Sequence, residues 1–437
     1  MKILFNQKFR FPVGCAALLL VSLASSHVYT QLKTKQLAQQ DQSFTQQENF
    51  APLQSQIFLT SEFKNAFVAQ QTSNEIIGKQ NAFSSQQDLI SASAPYAVVD
   101  EFKKYKFKIN GSQVVTPVKL PSSKVNFPQG DLLTVLVNTR KYFQDYSSED
   151  PDILRTGILA TQGVTVQDVI KTLDFMIVVL KEDIANNRAT RLQDPKFINT
   201  NFRVIKWSAY NPNNKQQKQL RITKYAVFTH SGSRKKTSTF NTPIYSLKES
   251  NNDKFYTRYT KQDVLSGIYE PGGREFGKVT SLAYLTRNGL EEAIMEGTIL
   301  INFTDGYKAF FNVDRNNGMS YIRGLKATAQ KRYWYFREVD AIKGYGYKID
   351  AKISVKPGVT FAGDVLNIGL GKVIVIEHTQ GGRKHLQMGV IADTGGAFLP
   401  NLYQLDFLAG IFKNKKQFGQ HITQLPEYAT AYFLVKK

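Results

Sequence analysis

Two stretches in the first half of the chain place apolar residues at helical spacing. The first predicts a helix over 131–146. The second follows Thr165 and Asp168, whose spacing is that of a capping box, so a helix is expected to begin there. The apolar positions are Leu132, Leu133, Leu136 and Phe143 in the first stretch, and Val169, Ile170, Leu173, Met176 and Leu180 in the second.

Beyond residue 200 the apolar pattern alternates, as it does in strands. Two hairpins are predicted, over 298–313 around Asp305-Gly306 and over 372–391 around Gln380-Gly381-Gly382. Further strands are expected at 114–119, 221–228 and 429–435. The pattern predicts a mainly β protein with N-terminal helices (α+β), and the short strands favour a barrel over a parallel sheet.

The N-terminus has the pattern of a signal peptide. An apolar run at 13–24 follows three basic residues and ends among small ones, which predicts a cleaved segment 1–26 and export to the periplasm, the cell wall or the outside. An uncleaved anchor is the alternative. Cys15 precedes most of the run, which argues against a lipid anchor, and no later stretch could span a membrane. A Gln- and Ser-rich linker over 27–96 is expected to follow.

The chain is strongly basic, with 56 Lys and Arg against 35 Asp and Glu and a net charge of +21. Removing residues 1–26, which hold three basic residues and no acid, leaves +18. Such a charge favours an anionic surface such as a wall polymer, a membrane or nucleic acid, and does not choose among them. A single cysteine excludes a disulfide framework and a cysteine metal site.

Two acids near the end of the chain are the candidates for catalysis. Asp393 begins an Asp-Thr-Gly-Gly-Ala stretch, and Asp406 follows thirteen residues later between Leu405 and Phe407. Desolvation between apolar neighbours raises the pKa of a carboxyl group and keeps a proton available near neutral pH. Asp406 is therefore a candidate general acid supported by Asp393, and an aspartate that only caps a turn is the alternative.

The same segment resembles the C-terminal three-aspartate domain of the membrane-bound lytic murein transglycosylase A family. The resemblance extends, with interruptions, over about 200–437. Its elements here are Asp393-Thr-Gly-Gly-Ala-Phe, Asp406-Phe-Leu-Ala-Gly, Tyr432-Phe-Leu-Val-Lys, Arg234 with Pro243-Ile-Tyr245, Ser281-Leu-Ala-Tyr-Leu285, Asp305-Gly306 and Asn317-Gly-Met-Ser-Tyr321. Met295-Glu-Gly-Thr298 stands where the family has Gln-Gly-Ser-Gly.

This resemblance implies a fold and a reaction. The fold would be a double-ψ-like β-barrel over 97–250 and 330–437, with a second β domain inserted at 251–329 and a glycan groove between them. The family cleaves the β-1,4 bond between N-acetylmuramic acid and N-acetylglucosamine in peptidoglycan. The muramyl 6-hydroxyl attacks its own anomeric carbon and leaves a 1,6-anhydro end, so one acid suffices. Asp406 would be that acid and Asp393 its support, with no metal, organic cofactor or nucleic acid involved.

The resemblance also implies substrate contacts. The residues expected to make them are Thr394, Gly395, Gly396, Glu296, Gly297, Thr298, Asn317 and Tyr321. Two other readings of the sequence stay open. One is a non-catalytic peptidoglycan-binding relative with the same fold, and the other is a secreted binding or effector protein.

Overall fold

The computed structural model describes residues 94–248, 253–395, 398 and 400–437. Its strands are β1 (Pro95–Val99), β2 (Tyr105–Asn110), β3 (Val115–Val118), β4 (Val125–Asn126), β5 (Phe202–Trp207), β6 (Leu220–Ser233), β7 (Thr242–Leu247), β8 (Val279–Leu285), β9 (Thr298–Phe303), β10 (Lys308–Asn316), β11 (Trp334–Val339), β12 (Thr360–Ala362), β13 (Val373–Gln380), β14 (Arg383–Asp393), β15 (Gln404–Phe412) and β16 (Tyr428–Lys436). The α-helices are α1 (Gln129–Tyr146), α2 (Val166–Ala185), α3 (Pro195–Asn201), α4 (Lys261–Leu265), α5 (Arg287–Ala293) and α6 (Lys415–Ile422).

Most of the strands join one sheet. Within the described ranges this sheet has 14 strands, and β1 and β2 form a separate antiparallel pair. Parallel pairs, such as β6 with β15 and β12 with β14, stand beside antiparallel ones. Successive pairing of β6, β15, β12, β14, β13 and β16 returns to β6, so these six strands close a ring. The mainly β class with helices is confirmed.

The local signals in the sequence correspond to the elements that form. The Thr165 hydroxyl accepts from the Asp168 amide, and the Asp168 carboxylate accepts from the Thr165 amide, which is the predicted capping box of α2. β9 and β10 form the hairpin around Asp305-Gly306, with Lys308 opposite Asn302. The second predicted hairpin is β13 with β14. The predicted signal peptide and nearly all of the predicted linker lie outside the described residues.

Buried apolar side chains form two clusters. The larger one contains the inner faces of α1 and α2 and the strands of the ring, with fully buried residues such as Leu136, Met176 and Trp207. The second runs from Ile244 to Phe336 and is rich in tyrosine. Among the described residues, no helix combines the length and the apolar character needed to cross a membrane.

Candidate functional site

A single rung of the sheet holds the two candidate acids. Ala362 at the end of β12 is the register partner of Asp393 on β14 and also of Asp406 on β15. Neighbouring strands lie about 4.8 Å apart, so the two acidic residues are separated by about 10 Å between their Cα atoms. Both side chains line one cavity of about 400 Å³, which we call the acid cavity. The β ladder therefore brings together the two acids that the sequence places thirteen residues apart.

Asp406 has few partners for its negative charge. Its Oδ1 atom is buried and accepts no hydrogen bond within the described part of the chain. Burial raises the pKa of Asp406 to about 6, although the Thr223 hydroxyl and the charge of Lys224 act in the opposite direction. An oxygen that is buried and unpartnered is in a suitable state to carry a proton or to accept one from a ligand.

Asp393 is better supplied with donors. Tyr225 donates its hydroxyl to Oδ2 at 2.7 Å, and the Thr394 amide donates to Oδ1 at 2.8 Å. Burial raises the pKa of Asp393 to about 6, and the charge of Asp406 adds to this, while both hydrogen bonds and the charge of Lys352 lower it. These donors favour the ionised form of Asp393, whereas Oδ1 of Asp406 has no such donor among the described residues.

Part of the wall of the acid cavity is a polar network. Asn312 on β10 is buried, and its Nδ2 atom donates to the Gly297 carbonyl at 2.8 Å and to the Thr298 hydroxyl at 2.7 Å. Its Oδ1 atom accepts from Lys352 Nζ at 2.6 Å. Burial lowers the pKa of Lys352, and the charges of Asp393 and Asp314 oppose that shift. The network places the amine of Lys352 and the amide of Asn312 in the same cavity as the acids.

The loop that follows Asp393 is tied to the end of β12. The Thr394 hydroxyl donates to the Gly363 carbonyl at 2.9 Å, and the Gly363 amide donates to the Asp393 carbonyl at 3.2 Å. Asp364 is fully buried, and its Oδ2 atom accepts from the Asn401 amide at 2.8 Å. Both ends of the loop are thus held by residues that immediately follow β12.

The residues predicted to contact substrate fall into two groups. Four of them line the acid cavity: Thr394, Gly395, Gly297 and Thr298. Glu296 lies near this wall, but its carboxylate faces the Phe228 amide at 3.2 Å and His230 Nε2 at 3.4 Å. Gly396 lies outside the described residues.

Asn317 and Tyr321 are not among the residues that line the acid cavity. Asn317 is buried, and its Nδ2 atom donates to the carbonyls of Tyr259 and Lys331 at 2.8 and 3.0 Å. Tyr321 is exposed, and the Arg332 guanidinium lies 5.4 Å from its ring centroid. Their role as substrate contacts stays a prediction.

Sequence reasoning did not identify most residues of the cavity, including three polar ones that contact each other or the acids. Tyr225, Asn312 and Lys352 come from β6, β10 and the segment that precedes β12. None stands in a motif with the acids. The apolar alternation over 221–228 predicts the strand that contains Tyr225, and Asp305-Gly306 predicts the hairpin that contains Asn312. It is the parallel pairing of β6 with β15 that brings Tyr225 to the acids.

The site can support acid–base chemistry with its own side chains. It offers two carboxyl groups whose pKa values are both raised to about 6, and the amine of Lys352 lines the same cavity. Across the described ranges, no group of three His, Cys, Asp or Glu side chains is arranged to hold a metal ion.

By sequence, the chain matches no family model and no curated protein. By structure, it is similar to the membrane-bound lytic murein transglycosylase of Agrobacterium tumefaciens, with 17% identity, a TM-score of 0.50, and coverage of 74% of this chain and 98% of that one. Escherichia coli MltA with bound chitohexaose has 16% identity, a TM-score of 0.47, and coverage of 74% and 95%. MltA from Neisseria gonorrhoeae has 14% identity, a TM-score of 0.47, and coverage of 79% of this chain and 97% of that one. The first comparison shows a shared fold, so the resemblance found in the sequence is confirmed at the level of the fold.

Proposed function

We propose that this protein is a peptidoglycan lytic transglycosylase. It would cleave the β-1,4 bond between N-acetylmuramic acid and N-acetylglucosamine and leave 1,6-anhydromuramyl ends. The observation that carries the proposal is the pair of acids in one cavity, in which Asp406 has an unpartnered buried oxygen and a pKa raised to about 6. The fold shared with the Agrobacterium transglycosylase supports it.

In this mechanism Asp406 acts twice. As an acid it protonates the glycosidic oxygen of the leaving sugar, and as a carboxylate it then takes the proton from the muramyl 6-hydroxyl. That hydroxyl belongs to the substrate, so its attack on C1 gains from proximity. An ordinary glycosidase needs a second carboxylate as nucleophile or water activator. Here the second carboxylate, Asp393, would hold its negative charge beside the sugar while positive charge develops at C1.

The six-stranded ring supplies the frame for this chemistry. We propose that the ring is the double-ψ-like barrel implied by the resemblance, and that the segment around 251–329 is the inserted β domain. The acid cavity is lined by Asp393 and Asp406 on the ring, by Gly297 just before β9, and by Thr298 and Asn312 on β9 and β10. A glycan strand bound there would contact both the ring and these two strands. The site of action would be the cell envelope, where peptidoglycan lies.

The test is digestion of purified peptidoglycan in ¹⁸O-labelled water, followed by mass spectrometry of the soluble fragments. We expect 1,6-anhydro ends without ¹⁸O. Asp406→Asn should lower the rate at least 10²-fold, since general acid–base contributions are typically 10²–10⁴-fold. Asp174→Asn is the matched control, because Asp174 lies on α2, pairs with Arg140 and does not line the cavity.

Two outcomes would contradict the proposal. Reducing ends that carry ¹⁸O would identify a hydrolase. Wild-type protein that binds peptidoglycan but releases no fragment, with Asp406→Asn behaving in the same way, would identify a non-catalytic binding protein.

A further inference from the structure

The loop between β10 and β11, residues 317–333, combines basic and apolar side chains. It contains four basic residues and no Asp or Glu. Ten consecutive residues, 320–329, are exposed to solvent. Three of them are large and apolar: Tyr321, Ile322 and Leu325 are 47%, 52% and 37% exposed. The basic residues are Arg323, Lys326, Lys331 and Arg332.

The backbone of this loop is fixed by a buried glutamine. Gln330 accepts from the Ile322 amide at 2.9 Å and donates to the carbonyls of Ile322 and Leu325 at 2.7 and 3.0 Å. At the base of the loop, Asn317 donates to the Lys331 carbonyl. These hydrogen bonds fix the backbone at Ile322 and Leu325 in a conformation that leaves both apolar side chains exposed to water.

The apolar surface continues beyond the loop. Arg332 donates to the Ile294 carbonyl at 3.1 Å and contacts the sulfur of Met295, which is half exposed. Met295 lies two residues before Gly297 in the wall of the acid cavity. A surface that covered the loop would therefore lie close to that cavity.

We propose that the β10–β11 loop docks on an anionic lipid surface. Arginine and lysine meet headgroup phosphates, a tyrosine ring suits the boundary between headgroups and acyl chains, and isoleucine and leucine enter the apolar region. A wall polymer or nucleic acid would satisfy the positive charge but offers no apolar phase for Ile322 and Leu325. This inference goes beyond the proposed enzymatic function and does not depend on it.

The test uses a dye attached to the loop itself. Its emission changes when the loop enters the lipid, and binding through the N-terminal segment alone would leave it unchanged. In a full-length chain carrying Cys15→Ser, the only cysteine is removed, and an environment-sensitive dye is attached at Ile322→Cys or at the control Val178→Cys. Val178 on α2 has a matched exposure of 51%. Vesicles of phosphatidylglycerol with phosphatidylcholine are compared with vesicles of phosphatidylcholine alone.

We expect the dye at 322 to shift its emission to shorter wavelength on the anionic vesicles only, and the dye at 178 to stay unchanged. Leu325→Cys provides a second apolar position in case one labelled variant fails to fold. The proposal is overturned if the loop dyes do not respond, if they respond equally to the neutral vesicles, or if position 178 responds as strongly.

The contribution of charge is tested with Arg323→Gln combined with Lys326→Gln. This pair should raise the lipid concentration at half-maximal response of the dye about tenfold or more, because each basic residue near an anionic surface adds to the attraction. Lys171→Gln combined with Lys181→Gln, two exposed positions on α2, should leave it unchanged. An unchanged midpoint in the loop pair would overturn the proposal.

Discussion

The hydroxyl of Tyr225 favours the ionised form of Asp393. It donates to Asp393 at 2.7 Å, and this bond lowers the pKa of that carboxyl group against the effect of burial. Burial and the two acids raise the pKa of Tyr225 itself well above its ordinary value, so the hydroxyl stays a donor throughout the working pH range. Tyr225 is therefore part of the same hydrogen-bonded site as the two acids, although it lies far from them in sequence.

Tyr225→Phe should move the acidic limb of the pH–activity profile to higher pH. Without the donor, the pKa of Asp393 rises, and a carboxylate needed in its ionised form is lost at a higher pH. We expect a roughly tenfold loss of activity at pH 5 and a smaller loss at pH 7. Tyr345→Phe is the matched control, because Tyr345 lines the same cavity but pairs with Asp150. An unshifted profile in Tyr225→Phe would remove the role given to this hydroxyl.

Asp406 should lower the stability of the protein at neutral pH. Its pKa is about 6 in the folded chain against an ordinary 3.8. Above pH 6 the folded protein therefore carries an ionised buried carboxylate, which lowers the free energy of unfolding. Below pH 4 the group is neutral in both the folded and the unfolded chain. The destabilisation therefore disappears as pH falls from 6 to 4. Asp406→Asn should raise the free energy of unfolding by about 2 kcal/mol at pH 7.5.

Chemical denaturation at pH 7.5 and pH 4 checks this expectation. The gain should shrink to near zero at pH 4 in Asp406→Asn, and Asp174→Asn should show no such dependence. A variant that is less stable than wild type at pH 7.5 would show that the carboxylate contributes packing or hydrogen bonds that outweigh its cost of burial.

At the scale of elements, the sequence predicts what depends on neighbours along the chain. The capping box of Thr165 and Asp168, the helix α1 and the two hairpins each follow from contacts within a few residues or a few turns. Asp393 and Asp406 were found in the same way, because a short apolar and glycine-rich context surrounds each acid.

The cavity wall could not be predicted because it depends on strand partners far apart in sequence. Asp406 is the register partner of Thr223, some 180 residues earlier. The apolar alternation within β6 does not indicate that β15 is its neighbour. Lys352 reaches Asn312 across forty residues through a side chain in a segment without regular structure. Hydrophobic periodicity shows which face of a strand is buried, but not which strand lies beside it.

The positive charge is a property of the whole molecule. A net charge of +21, or +18 after removal of residues 1–26, should strengthen the attraction to anionic peptidoglycan at low ionic strength. Exposed charges separated by more than about 8 Å are largely screened at physiological salt. Binding to purified peptidoglycan, measured by co-sedimentation, should weaken as sodium chloride rises from 20 to 500 mM. These concentrations are chosen to span roughly the screening range.

Binding that does not change with salt would assign recognition to hydrogen bonds and stacking alone. Sacculi whose stem-peptide carboxyl groups have been amidated provide the control, because they should show weaker binding and a flatter dependence on salt.

The closure of the ring by β16 also affects when the acid cavity can form. β6 and β16 pair across more than 200 residues, so the ring is not closed until residues 428–436 are available. A chain in which β16 is still unpaired has both acids but lacks the closed ring that frames them. Contacts of such long sequence separation form slowly. The topology therefore makes the acid cavity depend on one late pairing, because its frame is not closed before β16 has joined β6 and β13.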